Sequence, residues 1–163
     1  EAGKIVDIPE EFEVAKCIKN LIAMQTGIAK QKNITLSFSE GNAGSVKLYL
    51  DLKLFSQVVL NVLSNALKYS ETKGDVEIGL DREGKTIQIS VVDDGIGIPE
   101  KEIGMVFDKF FRASNAAKHA EEGTGLGLYV VKSYVQRWGG TVVIDSTEGH
   151  GTRVIINLPI KSR

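Results

Sequence analysis

The stretch GLDREGKTIQISVVD, residues 79 to 93, decides between two fold classes. Its first eight residues match the P-loop pattern, in which a glycine-rich turn between a strand and a helix wraps nucleotide phosphates. The residues that follow alternate instead, because Ile87, Ile89 and Val91 are apolar and polar residues stand between them. This alternation predicts a strand, so Gly84 and Lys85 are expected in a hairpin turn, and the P-loop interpretation is disfavoured.

The rest of the chain predicts a mixture of helices and hairpins. Helices are expected at 10–32, 51–69, 100–107 and 124–138. Extended segments are expected at 34–39, 46–50, 76–80, 86–93, 141–146 and 153–159. Because the later strands are joined by short turns, the predicted fold class is α+β. We expect a two-layer sandwich in which a mixed, mostly antiparallel sheet packs against about three helices.

Composition limits the kind of protein. A chain of 163 residues predicts one domain, and a net charge of -1 disfavours nucleic acid as a partner. The lone Cys17 excludes an intramolecular disulfide and fits a reducing compartment, and no apolar run is long enough to span a membrane. We expect a cytoplasmic domain of a longer protein, and whether that parent carries a membrane anchor is left open.

The helix at 51–69 carries an unusual polar stripe. Asn61, Asn65 and Lys68 are spaced so that they share one helical face, and apolar residues flank them on both sides. Such groups cost free energy in an apolar setting unless they meet partners. They indicate either a ligand site or a set of buried amides that cap neighbouring loops.

Three glycine-containing loops accompany this helix. DDGIGIP (93–99) follows a strand, EEGTGLGL (121–128) leads into a helix, and EGHGT (148–152) joins two strands. The second loop can offer several backbone N–H groups and a helix N-terminus to phosphate. It is not the dinucleotide-binding GxGxxG pattern, and no strand precedes it, so a Rossmann fold is disfavoured.

Taken in order, five segments resemble a known set of motifs. NVLSNALKYS (61–70), DDGIGIP, FDKFFR (107–112), GTGLGL (123–128) and GHGT (149–152) are similar to the N, G1, F, G2 and G3 boxes of sensor histidine kinases. These boxes define the catalytic ATP-binding domain, a member of the superfamily that includes DNA gyrase and heat-shock chaperones. The resemblance implies the Bergerat ATP-binding fold over residues 10–163, with residues 1–9 as the exit from an upstream dimerisation helix.

The resemblance also implies a role for each of five side chains. Asn65 would coordinate the Mg²⁺ that bridges the ATP phosphates, and Asn61 would contact the waters of that metal or the phosphates themselves. Lys68 would offer its ammonium to phosphate. Tyr69 would lie against the adenine, and Asp93 would accept a hydrogen bond from the exocyclic amine of the base.

Further contacts follow from the same resemblance. Arg112 would reach the γ-phosphate, so Asn61, Lys68 and Arg112 are the expected catalytic residues. Residues 113–122 would form a mobile lid, hinged at the F box that contains Phe110. The other residues expected to bind nucleotide are Gly95, Gly97, Ile98, Phe107, Phe111, Gly123, Thr124, Gly125, Leu126, Gly127, Leu128 and Thr152.

The residue type at position 61 distinguishes between two possible reactions, ATP hydrolysis and phosphoryl transfer. The ATPases of the superfamily carry Glu there, whereas the amide of Asn61 cannot take a proton from water at neutral pH. Rapid ATP hydrolysis is therefore disfavoured, and transfer to a nucleophile from elsewhere is favoured. The two histidines of this chain, His119 in the proposed lid and His150 between two turn glycines, are expected in solvent and not in a helical acceptor context. The acceptor histidine is therefore expected on a separate helical hairpin.

The predicted function is to bind Mg-ATP and donate its γ-phosphoryl group to that histidine in a two-component kinase. ATP, ADP and the acceptor hairpin are the expected partners, with a response regulator as an indirect one. The isolated domain is expected to be a monomer and its parent a homodimer. Two alternatives remain open: a nucleotide-sensing module without transfer, and a gyrase-like ATPase.

Overall fold

The hairpin at 79–93 forms the centre of the sheet. In a computed structural model that describes residues 6–119 and 123–161, strand β4 (Asp75–Glu83) pairs antiparallel with β5 (Thr86–Asp93). Glu83 lies opposite Thr86, so Gly84 and Lys85 form a two-residue turn in which Gly84 has φ +58°. Lys85 is exposed. The hairpin interpretation of this stretch is confirmed.

Seven strands and four helices occur within the described residues. The other strands are β1 (Pro9–Glu13), β2 (Thr35–Ser39), β3 (Lys47–Asp51), β6 (Thr141–Thr147) and β7 (Gly151–Pro159). The helices are α1 (Val14–Gln31), α2 (Leu52–Tyr69), α3 (Ser114–His119) and α4 (Gly127–Arg137), and Glu100–Met105 forms a short 3₁₀ helix.

One mixed sheet and one layer of helices build the fold. The five-stranded sheet has the order β2-β4-β5-β7-β6, in which β2 runs parallel to β4 and every other pairing is antiparallel. Its inward side chains, such as Ile87 and Ile89, are buried in one apolar core with residues of α1, α2 and α4. The predicted α+β two-layer sandwich is confirmed.

The first predicted helix was wrong at its start. Residues 9–13 form β1, which pairs antiparallel with β3 in a separate two-stranded sheet, and the helix begins only at Val14. Phe12 fitted the helical spacing of the following apolar residues, but it packs on Phe55 from the strand, with ring centroids 5.0 Å apart. Sequence periodicity does not detect a strand whose partner lies about 40 residues away.

Other helix boundaries differ by smaller amounts. The last helix begins at Gly127 rather than at residue 124, and the helix predicted at 100–107 is a 3₁₀ turn that ends at Met105. The predicted exit from an upstream helix, residues 1–9, lies partly outside the described residues. No helix in the described ranges has the length and apolar character needed to cross a membrane.

Candidate functional site

A pocket of about 470 Å³ lies between α2, the loop after β5, α3 and the loop before α4. All but three of the residues predicted from the sequence line it. They are Asn61, Asn65, Lys68, Tyr69, Asp93, Gly97, Ile98, Phe111, Arg112, Gly123, Thr124, Gly125, Gly127, Leu128 and Thr152. The fold therefore brings segments separated by up to 91 positions in the sequence, from Asn61 to Thr152, to one concave site.

Gly95, Phe107 and Leu126 do not line the pocket. A Cβ at Gly95 would lie 2.2 Å from the Tyr69 carbonyl oxygen, so this glycine is needed for the packing of the loop against α2. The ring of Phe107 lies 5.5 Å from Lys132 Nζ. Leu126 stands at the N-terminus of α4, where its carbonyl accepts a hydrogen bond from Val130. In this structure the three residues support neighbouring elements.

The amides on α2 meet the glycine-rich loop. Asn61 Nδ2 donates to the Gly127 carbonyl at 3.3 Å, and a Cβ at Gly127 would lie 3.9 Å from Asn65 Nδ2. Since the Asn61 nitrogen is used in this way, its oxygen is left as the group able to meet a cation or its waters. Among the described residues, no three His, Cys, Asp or Glu side chains are grouped to hold a metal. Amide oxygens are thus the metal-binding groups that this helix offers.

Two cationic side chains converge beside Gly123. A Cβ at Gly123 would lie 3.0 Å from Arg112 Nε and 3.1 Å from Lys68 Nζ. The ammonium of Lys68 also lies 5.4 Å from the centre of the Tyr69 ring. This end of the pocket is therefore positive and suits an anionic group such as a phosphate.

A single carboxylate lines the pocket in the described part of the chain. Burial raises the pKa of Asp93 to about 6, and hydrogen bonds from the backbones of Gly95 and Thr152 act in the opposite direction. Gly95 N donates to Asp93 Oδ1 at 2.9 Å. A partly buried carboxylate of this kind suits a neutral hydrogen-bond donor. The donor lowers the free-energy cost of holding the charged carboxylate away from water.

A hydroxyl network fixes the loop after β5, and one of its members, Ser146, was not among the residues predicted for the site. Ser146 Oγ accepts from Ile98 N at 2.9 Å, donates to the Gly151 carbonyl at 2.9 Å and lies 2.8 Å from Thr152 Oγ1. Ser146 thus holds both Ile98 and the Thr152 hydroxyl at the pocket. Its place on a regular strand gave no sequence signal of this role.

The segment predicted as a lid without an apolar anchor is in fact anchored at its start. Residues 114–119 form α3, and Ala113 and Ala116 are buried. Asn115 Nδ2 donates to the Gly97 carbonyl at 2.8 Å, and Ser114 Oγ donates to Glu102 at 2.9 Å. These contacts depend on tertiary structure, so the polar composition of the segment did not reveal them. Residues 120–122 of the predicted lid lie outside the described residues.

The two histidines are exposed, as predicted, but one of them is helical. His119 ends α3, and its ring centre lies 6.2 Å from that of Tyr69. His150 lies in the turn between β6 and β7. His119 thus lies in a helix of six residues, and the expectation that neither histidine stands in a helical acceptor context remains a prediction.

Comparison with known proteins identifies the family. A family model described as "Histidine kinase-, DNA gyrase B-, and HSP90-like ATPase" matches residues 50–162. This range contains all five motifs on which the resemblance to histidine kinases was based, and so it confirms that resemblance.

Curated relatives are sensor kinases much longer than this chain. The sensor histidine kinase WalK of Bacillus subtilis is 45% identical over 114 residues, which cover 69% of this chain and 19% of WalK. The circadian input-output histidine kinase CikA of Synechococcus elongatus is 36% identical over 98% of this chain and 21% of CikA. The chain thus spans about a fifth of the length of these relatives.

Solved structures show the same fold. The catalytic domain of histidine kinase ThkA in a nucleotide-free form has a TM-score of 0.82 at 23% identity, covering 94% of this chain and 96% of that domain. The mycobacterial sensor histidine kinase MprB has a TM-score of 0.78 at 26% identity, covering 96% of this chain and 100% of that one.

Proposed function

The chain belongs to the family of histidine kinase-, DNA gyrase B- and HSP90-like ATPases, as a catalytic domain of the sensor histidine kinase type, and on that premise we propose its reaction. It binds Mg-ATP in the pocket beside α2 and donates the γ-phosphoryl group to a histidine on a separate helical hairpin. The observation that carries the proposal is the convergence of Lys68 and Arg112 beside Gly123, in the same pocket as the partly buried Asp93.

Adenine recognition is assigned to the end of the pocket that contains Asp93. Its carboxylate accepts a hydrogen bond from the exocyclic amine, which supplies the neutral donor that a buried carboxylate favours. Tyr69 offers a ring face to the base, and Thr152, held by Ser146, offers a hydroxyl for a water-mediated contact. Gly97 has φ +64° and brings the loop close to the backbone of Thr147. A residue with a side chain at position 97 would clash with that backbone.

Phosphate binding is assigned to the positive end. Lys68 and Arg112 converge beside Gly123, where they neutralise the triphosphate and stabilise charge on the transferring phosphoryl group. The amide oxygens of Asn65 and Asn61 fit Mg²⁺, because this ion is commonly held by few protein ligands together with phosphates and waters. When bound, Mg²⁺ would supply positive charge between the phosphates.

Phosphoryl transfer is favoured over ATP hydrolysis, because the described lining of the pocket offers no free base for a water molecule. The described lining residues include one carboxylate, Asp93, which already accepts backbone hydrogen bonds and is assigned to the base. Asn61 cannot deprotonate a water. An imidazole nitrogen from the acceptor hairpin needs no such base: it attacks the γ-phosphorus, ADP leaves with the electron pair of the broken P–O bond, and the ring N–H proton is lost to solvent.

Substitution of Arg112 separates this proposal from a nucleotide-sensing module. Because Arg112 is assigned to the γ-phosphate, Arg112→Gln should reduce phosphoryl transfer by about 10³-fold or more while ATP affinity falls much less. Lys85→Gln is the matched control, since this exposed cation in the β4–β5 turn should change neither quantity. If wild type binds ATP without transferring phosphate, and Arg112→Gln changes ATP affinity alone, the result would favour a module that only senses nucleotide.

The wider assembly belongs to the same proposal. The parent kinase is a homodimer whose dimerisation hairpin lies upstream of β1, and it passes its phosphoryl group to a response regulator. The relatives WalK and CikA are named as histidine kinases, which supports the assignment of this chain to a kinase. The described part of the predicted lid, residues 113–119, is anchored to the loop after β5 through Asn115.

A further inference from the structure

Lys32 inserts its side chain beneath the C-terminus of α2. Its Nζ donates to the carbonyl oxygens of Leu67 at 2.6 Å, Lys68 at 3.0 Å and Ser70 at 2.9 Å. An ammonium group has three donors, and here each has an acceptor. Burial lowers the pKa of this lysine, which agrees with its partial removal from water.

This contact completes the hydrogen bonding of the helix end. The last carbonyls of a helix have no partner within the helix. The Ala66 carbonyl accepts from Ser70 N and Ser70 Oγ, and the Tyr69 carbonyl accepts from Ile96 N at 3.1 Å. With Lys32, every carbonyl from Ala66 to Ser70 has a donor. A cation at this position also interacts favourably with the helix dipole.

The capped segment is the part of α2 that serves the pocket. Lys68 and Tyr69 both line the pocket, whereas Lys32 does not. The loop after β5 rests on the same backbone, because Ile96 N binds the Tyr69 carbonyl and Gly95 packs directly against it. A shift of this helix end would therefore move a phosphate-binding cation, an aromatic ring and the loop that follows Asp93.

We propose that Lys32 is a positioning residue for the nucleotide site, which acts through the backbone carbonyls of residues 67–70 on Lys68 and Tyr69. This inference rests on the proposed function, since it assigns these two side chains to ATP. Lys32 touches neither the base nor the phosphates; it sets the place from which Lys68 reaches the phosphates and Tyr69 faces the base.

The test is a double-mutant cycle on ATP affinity in the whole domain. Lys32→Met keeps the side-chain stem and removes the ammonium. We expect it to weaken ATP binding by about tenfold or more, because a shift of the helix end weakens the charged contact that Lys68 makes with the phosphates. In a Lys68→Ala background the same change should cost clearly less, since part of its effect passes through Lys68. A residue that only stabilises the fold would show no such coupling.

A second lysine provides a matched control. Lys161 Nζ donates to the Trp138 carbonyl at 3.4 Å, at the end of α4 that points away from the pocket. Lys161→Met should leave ATP affinity within about twofold of wild type. Lys32→Arg keeps a cation but cannot aim three donors at converging carbonyls as an ammonium does, and we expect an intermediate affinity.

The outcomes are distinguishable. Affinities are compared by calorimetry at a temperature where near-ultraviolet circular dichroism shows each variant folded, and Lys32→Arg takes the place of Lys32→Met if the latter does not fold. If wild type binds ATP and both Lys32 variants bind equally well, this inference is overturned and the proposed function stands. If wild type does not bind ATP, both are overturned.

Discussion

At the residue scale, Asp93 combines a cost in stability with an assigned role in binding. Its carboxyl has a pKa of about 6, raised above the ordinary value chiefly by burial. The folded state therefore holds the proton more tightly than the unfolded state does. The stabilisation that results is fully present below the ordinary pKa near 4 and is lost as the pH rises through about 6.

Asp93→Asn should separate these two properties. Because the amide carries no charge, we expect a higher melting temperature than wild type at pH 8, with the gain shrinking as the pH falls through 6 toward 4. ATP affinity should drop by about tenfold or more, since a charged acceptor is lost. Thermal unfolding across this pH range and calorimetry with ATP measure the two effects.

Asp145→Asn, an exposed aspartate on β6, is the control and should change neither property. A stability gain for Asp93→Asn that is the same at pH 8 and pH 4 would show that the carboxylate charge is not its source.

Two glycines of the GTGLGL segment (123–128) should respond differently to substitution by alanine. Gly125 has φ +69°, and a Cβ there would lie 2.5 Å from the Phe110 carbonyl carbon, whereas a Cβ at Gly127 meets nothing closer than 3.9 Å. Gly125→Ala should destabilise the nucleotide-free domain by about 1–3 kcal/mol. Gly127→Ala, at the start of α4, should change stability by less than about 1 kcal/mol. Urea unfolding gives both values, and the reverse order would refute this account of the loop.

The site residues that could be predicted from the sequence are those whose side-chain type stands out among their near neighbours in the chain. The polar stripe of α2 and the glycine loops named most of the pocket, because amides, cations and glycines stand out locally. Ser146 and Asn115 were missed, since their contacts with Ile98 and Gly97 join residues 48 and 18 positions apart. Nothing in either residue's immediate neighbourhood distinguishes it from an ordinary surface polar side chain.

At the element scale, Asp51 ties the N-terminus of α2 to the start of the chain. One carboxylate oxygen accepts from Leu54 N at 3.0 Å and the other from Ile8 N at 2.9 Å. These hydrogen bonds lower the pKa of Asp51, and the bond from Ile8 has the larger effect. Its contribution to stability is therefore present above the ordinary pKa and is lost as the pH falls through the lower, folded value.

Asp51→Ala should remove this cap. We expect a loss of about 1 kcal/mol in the free energy of unfolding at pH 7, the usual cost of deleting an N-cap. Asp51→Asn retains an acceptor for Leu54 N and should recover most of the loss. Equal stability of the alanine variant and wild type in urea unfolding at pH 7 would contradict the assigned cap.

Helices and strands were predicted correctly where the apolar periodicity is strong. They were predicted wrongly where contacts between residues far apart in the sequence determine the structure. The β4–β5 hairpin and α2 follow from alternation and from a helical apolar face, and both are confirmed. Strand β1 was read as helix because its partner β3 is remote in sequence. Helix α3 was missed because six residues are too few to show a period, and its stability comes from burial of Ala116 and the bond of Asn115.

At the scale of the whole molecule, the fold assembles a nucleotide pocket but offers no acceptor histidine in a suitable place. The central sheet carries Asp93 and Thr152 on neighbouring strands β5 and β7, where they lie opposite each other. Helices α2 and α4 meet beside them, joined by the bond from Asn61 to Gly127. In the proposed reaction, this arrangement provides ATP for a nucleophile that comes from another domain.

Transfer to a separate hairpin tests this account most directly. The domain is mixed with Mg²⁺, ATP labelled in the γ-phosphate, and the separately purified acceptor hairpin of the parent kinase, with a histidine-to-glutamine hairpin as control. We predict acid-labile label on the hairpin histidine, none on this domain alone, and slow release of free phosphate. Tight ATP binding without label on the hairpin, or rapid phosphate release in its absence, would contradict the account.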